Sequence, residues 1–285
     1  MRLFDNPLAL VSFLAWGSAA ELTFSATAIQ HGRTVDTSIL SFLPIPPRSH
    51  HHHFYQGLLN LTLLADLDKR DTTSFSNNWC GVSQHTTASN PITGVNGIFS
   101  APSLSQRPGQ PIPQFAAAWV GIDGSSCRTT LLQAGVTTVL NSNDGQSASA
   151  WWEWSPRSSY SISGFPVKPG DWVGVNITVS SPTSAKILLT NYNQDYVLTL
   201  TLQNGPQLCQ LDADWIVEDF RQGDGKVSFG RFDDIWFEQC AATTAHGPKL
   251  GINGAPMIYL GSNAHDATCV AKWYDNEDFY CESQN

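Results

Sequence analysis

The chain is poor in charge. Of its 285 residues, 14% are Asp, Glu, Lys or Arg, against about 25% in ordinary soluble domains. Basic groups are scarcest, 15 against 24 acidic ones, and the formal net charge is -9. Residues 1–70 hold five basic and five acidic groups, so residues 71–285 carry the whole deficit. That surface argues against a nucleic-acid partner, whose phosphates need Lys and Arg. No apolar run near 18 residues follows the first twenty, which argues against a membrane span. Only His85, His246 and His265 remain beyond residue 70. Gly-x-Ser-x-Gly, His-Glu-x-x-His and Asp-Thr-Gly are all missing, and with them the common serine, zinc and aspartic hydrolase signatures. No Cys-x-x-Cys pair occurs, so a zinc ribbon or thioredoxin site is not indicated. Cys80 and His85 lie five residues apart on an extended chain, a poor thiol–imidazole pair.

What is present divides at about residue 70. Met1 to Ala20 reads as a signal peptide, with Arg2, the apolar Leu8–Trp16 and small Ser18 and Ala20 before the cut; Asp5 is atypical there. Secretion to the extracellular space follows. Residues 21–70 contain Pro44, Pro46, Pro47, the run His50–His53 and the apolar Leu58–Leu64, and end in Lys69-Arg70. They read as a propeptide ending in a dibasic processing site, with Asp71 as the mature start. Histidine titrates near pH 6.5, so the His run is either a sensor of acidification or a solvated tract.

All six cysteines lie after residue 70, and secretion permits disulfides. Cys269 and Cys281 flank a hairpin and form a local candidate pair; Cys80 and Cys240 stay unassigned. Asn60 (N-L-T) and Asn176 (N-I-T) are glycosylation sequons. Period-two alternation recurs through 71–285. In Asp171–Ser180, Val173, Val175, Ile177 and Val179 share one face and Asn176 the other. Lys186–Gln203 reads as a hairpin around Asn191–Asp195, and Leu132, Ala134, Val136 and Leu140 share a face. Turn dipeptides recur at Asn96, Asp123, Asp144, Pro169, Asp224 and Asn253. With no amphipathic helix of three turns, the mature segment is expected to be all-β, a single sandwich or barrel.

Three stretches stand out: Ala118–Gly124 running on through Cys127 to Leu132-Gln133-Ala134-Gly135; Trp151-Trp152-Glu153-Trp154; and Trp215–Phe220. Glu218 shares a strand face with Ile216 and Phe220, a setting that desolvates the carboxylate and favours its protonated form. Ten Trp residues suggest a substrate cleft lined with rings. Together with Asn78-Trp79, these blocks resemble the glutamic peptidases (eqolisins), secreted acid proteases of filamentous fungi, in order and in spacing. The resemblance runs from about Asn77 to the C-terminus.

It implies a sandwich of two curved antiparallel sheets, concanavalin-like, acting on polypeptide substrates without metal or cofactor, as a monomer, with its propeptide as inhibitor. Glu218 and Gln133 match the catalytic pair. Trp79, Trp119, Asp123 and Glu153 match cleft positions, and Cys127 and Cys209 match a family disulfide. Asp123 and Glu153 could each orient Gln133, bind substrate backbone or serve as structural acceptors; Trp119 and Trp151 could be subsite walls or core rings. The chain departs from the family pattern at Cys80, where Gly or Ala is usual, at Ser155, where an aromatic is expected, and at Arg221, where an acidic residue is common. In the implied chemistry Glu218 takes a proton from water and returns it to the leaving amine, while Gln133, which does not titrate, orients the water and holds the oxyanion. Two other classes compete: a lectin-like carbohydrate-binding sandwich, and a glycosidase using Glu153 and Glu218. A proteolytically dead member of the same family is a third possibility, which intact Gln133 and Glu218 argue against.

Overall fold

The computed structural model describes residues 21–45, 54–55, 73–142, 145–223 and 225–284. The signal peptide, His50–His53, Asn60 and Lys69-Arg70 lie outside the described residues. In chain order the strands are β1 (Thr23–Gln30), β2 (Arg33–Val35), β3 (Ser41–Ile45), β4 (Phe54–Tyr55), β5 (Thr73–Ser76), β6 (Trp79–His85), β7 (Ile92–Ser100), β8 (Leu104–Ser105), β9 (Gln114–Ile122), β10 (Leu131–Leu140), β11 (Gln146–Ser155) and β12 (Ser159–Ser163). They continue as β13 (Trp172–Ser181), β14 (Ser184–Asn191), β15 (Tyr196–Gln203), β16 (Asp212–Glu218), β17 (Arg221–Gln222), β18 (Gly225–Lys226), β19 (Ser228–Phe229), β20 (Arg231–Phe232), β21 (Ile235–Thr244), β22 (Met257–Leu260), β23 (Cys269–Trp273) and β24 (Phe279–Ser283). Thr37–Ile39 forms a short 3-10 turn, and among the described residues no helix is long and apolar enough to cross a membrane.

The strands form two layers. The inner runs β3-β12-β11-β10-β9-β16-β6-β22-β5-β4. The outer runs β2-β1-β15-β14-β13-β7-β21-β24-β23. At one side they join through the pair Leu260↔Cys269, where the sheet turns over on itself. The opposite side carries β1 on one layer and β3 on the other.

Alternate side chains of both layers meet in one core: Val173, Val175, Ile177, Ile187, Leu198 and Leu200 from the outer, Ala118, Val120, Leu132, Ala134, Trp152, Trp154 and Trp215 from the inner. The outer strands show solvent on their other face, as in β13, where Asn176 is exposed between buried Val175 and Ile177. The central inner strands do not. Every residue of β16 is buried, and β10 has a single exception. Their second face carries its own apolar cluster, Trp79, Ala117, Trp119, Leu131, Trp151, Ile216, Phe220 and Ile258. A sheet buried on both faces loses clean alternation, which is why Trp151–Trp154 reads as an unbroken run.

The disulfides are Cys127–Cys209 and Cys80–Cys269. The expected local pair Cys269–Cys281 is not formed. β23 and β24 pair with Cys269 opposite Ser283 and Cys281 opposite Ala271. The two cysteines are therefore diagonal neighbours, at about 7–8 Å, beyond the usual Cα span of a disulfide. Cys80, on β6, has its Cα 6.0 Å from that of Cys269 and takes the bond. Cys240 and Cys281 remain as buried thiols, held protonated chiefly by burial. A thiol titration should therefore detect none in the native protein and two in denaturant. A Cys269–Cys281 cross-link in peptide mapping would contradict this arrangement.

Candidate active site

Gln133 and Glu218 lie on the inner sheet's second face, on either side of β9. On β10, Gln133 stands opposite Gly121 of β9 and Glu153 of β11. Glu218, the last residue of β16, stands opposite Ala117 of β9 and Trp79 of β6. Between them on β9 is Trp119. Gln133, Glu153, Trp119, Trp79 and Glu218 are all 0% exposed.

The carboxylate of Glu218 is met by three N–H donors. Asn78 Nδ2 at 3.2 Å and Trp79 Nε1 at 3.3 Å donate to Oε1; Trp119 Nε1 at 2.9 Å donates to Oε2. Such donors favour the ionised form. Asn78 is oriented from behind. The Ser76 hydroxyl donates to its Oδ1 at 3.3 Å, so its amide N–H faces Glu218. Asp219 N–H donates to the Asn78 carbonyl at 2.9 Å, and Lys226 Nζ bridges Asp219 (2.8 Å) and the Asn77 carbonyl. Asn78 was not among the site residues expected from sequence; only its place in the Asn78-Trp79 block pointed to it.

Trp119 fits because two positions beside it lack side chains. A Cβ on Gly135 would lie 2.3 Å from the Ala118 carbonyl oxygen and 2.5 Å from Trp119 Cβ; one on Gly121 would lie 3.0 Å from the far edge of the indole and 3.1 Å from Gln133 Cβ. The indole thus lies over Gly121 beside Gln133 at one end and donates to Glu218 at the other. The Trp79 ring meets it edge-on, centroids 5.0 Å apart. Trp151, opposite Gly135, belongs to the same cluster and not to the core between the layers. Trp119 and Trp151 therefore belong to the cluster on the inner sheet's second face.

Gln133 Nε2 donates to Glu153 Oε2 at 3.4 Å. Glu153 thus acts on the amide of Gln133. Asp123 is a structural acceptor instead. In the left-handed region, with φ 69°, it accepts from the N–H groups of Cys209 (2.7 Å), Gln210 (3.0 Å) and Leu211 (2.8 Å). It fixes the loop that carries the Cys127–Cys209 bond into β16.

Behind Glu218 on the same face of β16 lie Asp214 and Asp212. Burial works against the charge of Asp212, but donors from His85 (Nδ1, 2.8 Å), the Ser126 hydroxyl and the Cys127 N–H (3.0 Å) prevail and hold it below the usual carboxylate range. Asp214 has no cation beside it. Burial first, and the charge of Asp212 second, push it well above that range.

Residues 77–283 match the Peptidase A4 family. The chain belongs to that family. It is a glutamic-type peptidase. It is 32% identical to aspergillopepsin-2 of Aspergillus niger over 203 residues, 65% of this chain and 70% of that one. A crystal structure of scytalido-glutamic peptidase with a transition-state analog inhibitor superposes with TM-score 0.63 at 25% identity, covering 73% of this chain and 98% of the other. The crystal structure of aspergilloglutamic peptidase from Aspergillus niger gives TM-score 0.54 at 29% identity, covering 60% and 99%.

The buried acids of this peptidase set its pH dependence of stability. Asp123 is raised to about 6, by burial above all and in smaller part by Asp212, against the pull of its three backbone donors. An acid that holds its proton more tightly folded than unfolded stabilises the fold fully below about pH 4, and that contribution is lost as pH rises through the folded value. For Asp123 the difference is about 3 kcal/mol. Asp214 adds in the same direction, whereas Asp212 contributes above about pH 4 and loses its share as pH falls. Thermal unfolding should show the midpoint falling as pH rises from about 4 through about 6, and Asp214→Asn should flatten that fall. A variant curve parallel to the parent's would remove Asp214 from the account.

Proposed function

We propose that the chain is a secreted acid endopeptidase in which Glu218 and Gln133 together hydrolyse peptide bonds of polypeptide substrates. The observation that carries this is the pair's shared setting. A buried carboxylate under three N–H donors and a primary amide lie on the same face of the inner sheet, on either side of Trp119.

An amide substrate needs an activated water, a site for the oxyanion and a proton for the leaving nitrogen. Ionised Glu218 takes the proton from water as it attacks and delivers it to the amine as the bond breaks. Gln133 has two amide hydrogens and one acceptor oxygen. With one hydrogen directed to Glu153, the other and the oxygen serve the oxyanion and the water. An amide does not titrate, so this part works in acid, where imidazole is charged. Glu218 works as a base only while ionised, the form that N–H donors such as Trp119 stabilise.

The same reading takes residues 1–20 as a signal peptide, 21–70 as a propeptide cut after Lys69-Arg70, and Asn176, exposed on β13, as a glycosylation site. Both catalytic side chains are buried in the full chain, so a polypeptide reaches them only after part of the chain moves. Ile45, the last residue of β3, lines a depression of about 120 Å³ with Phe115, Thr137, Phe220 and Arg221, and the reading takes the part of the leader that follows it as the inhibitor of the zymogen.

Glu218→Gln and Gln133→Ala should each lower kcat/KM on a denatured protein substrate by about 10²–10³-fold or more, in a pepstatin-resistant assay from pH 2 to 7. Trp119→Phe keeps the ring and removes one donor, so the acid limb of its kcat profile should move to higher pH. Acid-optimal cleavage that survives both Glu218→Gln and Gln133→Ala would sink this mechanism.

A further inference from the structure

The segment read as a propeptide is built into both layers of the sandwich. β1 pairs with β15 over eight residues, from Thr23↔Gln203 to Gln30↔Tyr196. β3 pairs with β12 over five, from Ser41↔Ser163 to Ile45↔Ser159. The turn Thr37–Ile39 carries the chain from one layer to the other across the open side. Between the ladders lies an aromatic cluster. Phe24 meets Phe42 at 5.0 Å, Trp152 at 5.1 Å and Tyr160 at 5.3 Å between ring centroids, and Trp152 stacks on Tyr160 at 4.7 Å. Ala28 and Leu40 are buried in the core itself.

These strands lie outside what the family shares. The family match begins at residue 77, and the scytalido-glutamic peptidase structure is 98% covered by 73% of this chain. Without β1 and β3, strands β15 and β12 present bare backbone at two adjacent edges, together with the aromatic surface of Trp152 and Tyr160. Open edges of that kind recruit other strands, and a strand added by backbone pairing with side-chain anchors is a recurrent way of binding a peptide.

We propose that residues 22–45 are not discarded with the leader, but stay docked as a separate light chain after the cut, closing the open side of the working enzyme. The inference rests on the propeptide reading above. It gives the leader two parts: a downstream part whose cutting frees the cleft, and this arm, which remains.

The test uses the full chain with a site-specific protease sequence in place of residues 66–70, first in a Glu218→Gln background to prevent self-digestion. After cutting, the protein is run on size exclusion at pH 4, and the peak is analysed by intact mass under denaturing conditions. The expected peak holds the fragment carrying residues 22–45 and the 71–285 chain in equal amounts, and hundredfold dilution does not separate them. Phe24→Ser with Phe42→Ser, checked for a cooperative unfolding transition before cutting, should lose the fragment from the peak, and the cut variant should melt about 5 °C or more below the cut parent. A parent peak holding the 71–285 chain alone overturns the proposal. The peptidase assay on the cut chain with Glu218 intact separates the two readings. Cleavage with the arm gone leaves the peptidase standing and the arm refuted; a retained arm without cleavage from pH 2 to 7 does the reverse.

Discussion

A carboxylate removed from water keeps its charge only where fixed donors replace the water it has lost. At Glu218 those donors come from Asn78 and Trp79, at the entry to β6, and from Trp119 on β9. Each depends on something further away. Asn78 presents its amide because Ser76 occupies its oxygen. Trp119 reaches Glu218 because Gly121 and Gly135 leave room for an indole against bare backbone. Alanine at either position would press on Trp119, the donor on the strand between Glu218 and Gln133.

The carboxylates around this site are distinguished by their surroundings. Asp123 closes a loop through three backbone donors, Asp212 is met by His85 and Ser126, and at Asp214 burial and the charges of Asp212 and Asp123 outweigh the Ser83 hydroxyl. Few cations lie nearby, and the chain from residue 71 onwards carries the entire net charge of -9. A protein made this way relies on protons where others use Lys and Arg. The scarcity of basic residues and the raised carboxyls of Asp123 and Asp214 then have one physical origin.

The outer sheet was legible from the sequence because water faces one of its sides. The alternation around Asn176 and the hairpin around Asn191–Asp195 lie where expected. The inner sheet was harder to read because both faces are buried, and a run such as Trp151–Trp154 has no polar partner positions to mark its period. Gln133 stood out only through resemblance, and Glu218 had locally only its place between Ile216 and Phe220 to separate it from a solvated strand residue. The role of Asn78 depends on Ser76, Asp219 and Lys226 acting together, which no single stretch contains. The Cys269–Cys281 pairing failed on a register offset of two residues. Strands β1 and β3 went unread because their partners, β15 and β12, lie more than a hundred residues away.

The two sides of the sandwich are held by different means. Where inner sheet turns into outer, a single residue pair continues the ladder, and Cys80–Cys269 sews β6 to β23 across that fold. Across the molecule, only hydrogen bonds and a few rings lace the layers together. The molecule is therefore a book with a stitched spine. Its layers are least tied along the fore-edge, the side nearer to Glu153 on β11, and most tied along the spine, the side nearer to Glu218 on β16. Compliance then falls on the half of the site that positions a neutral amide, and rigidity on the half that holds the charge.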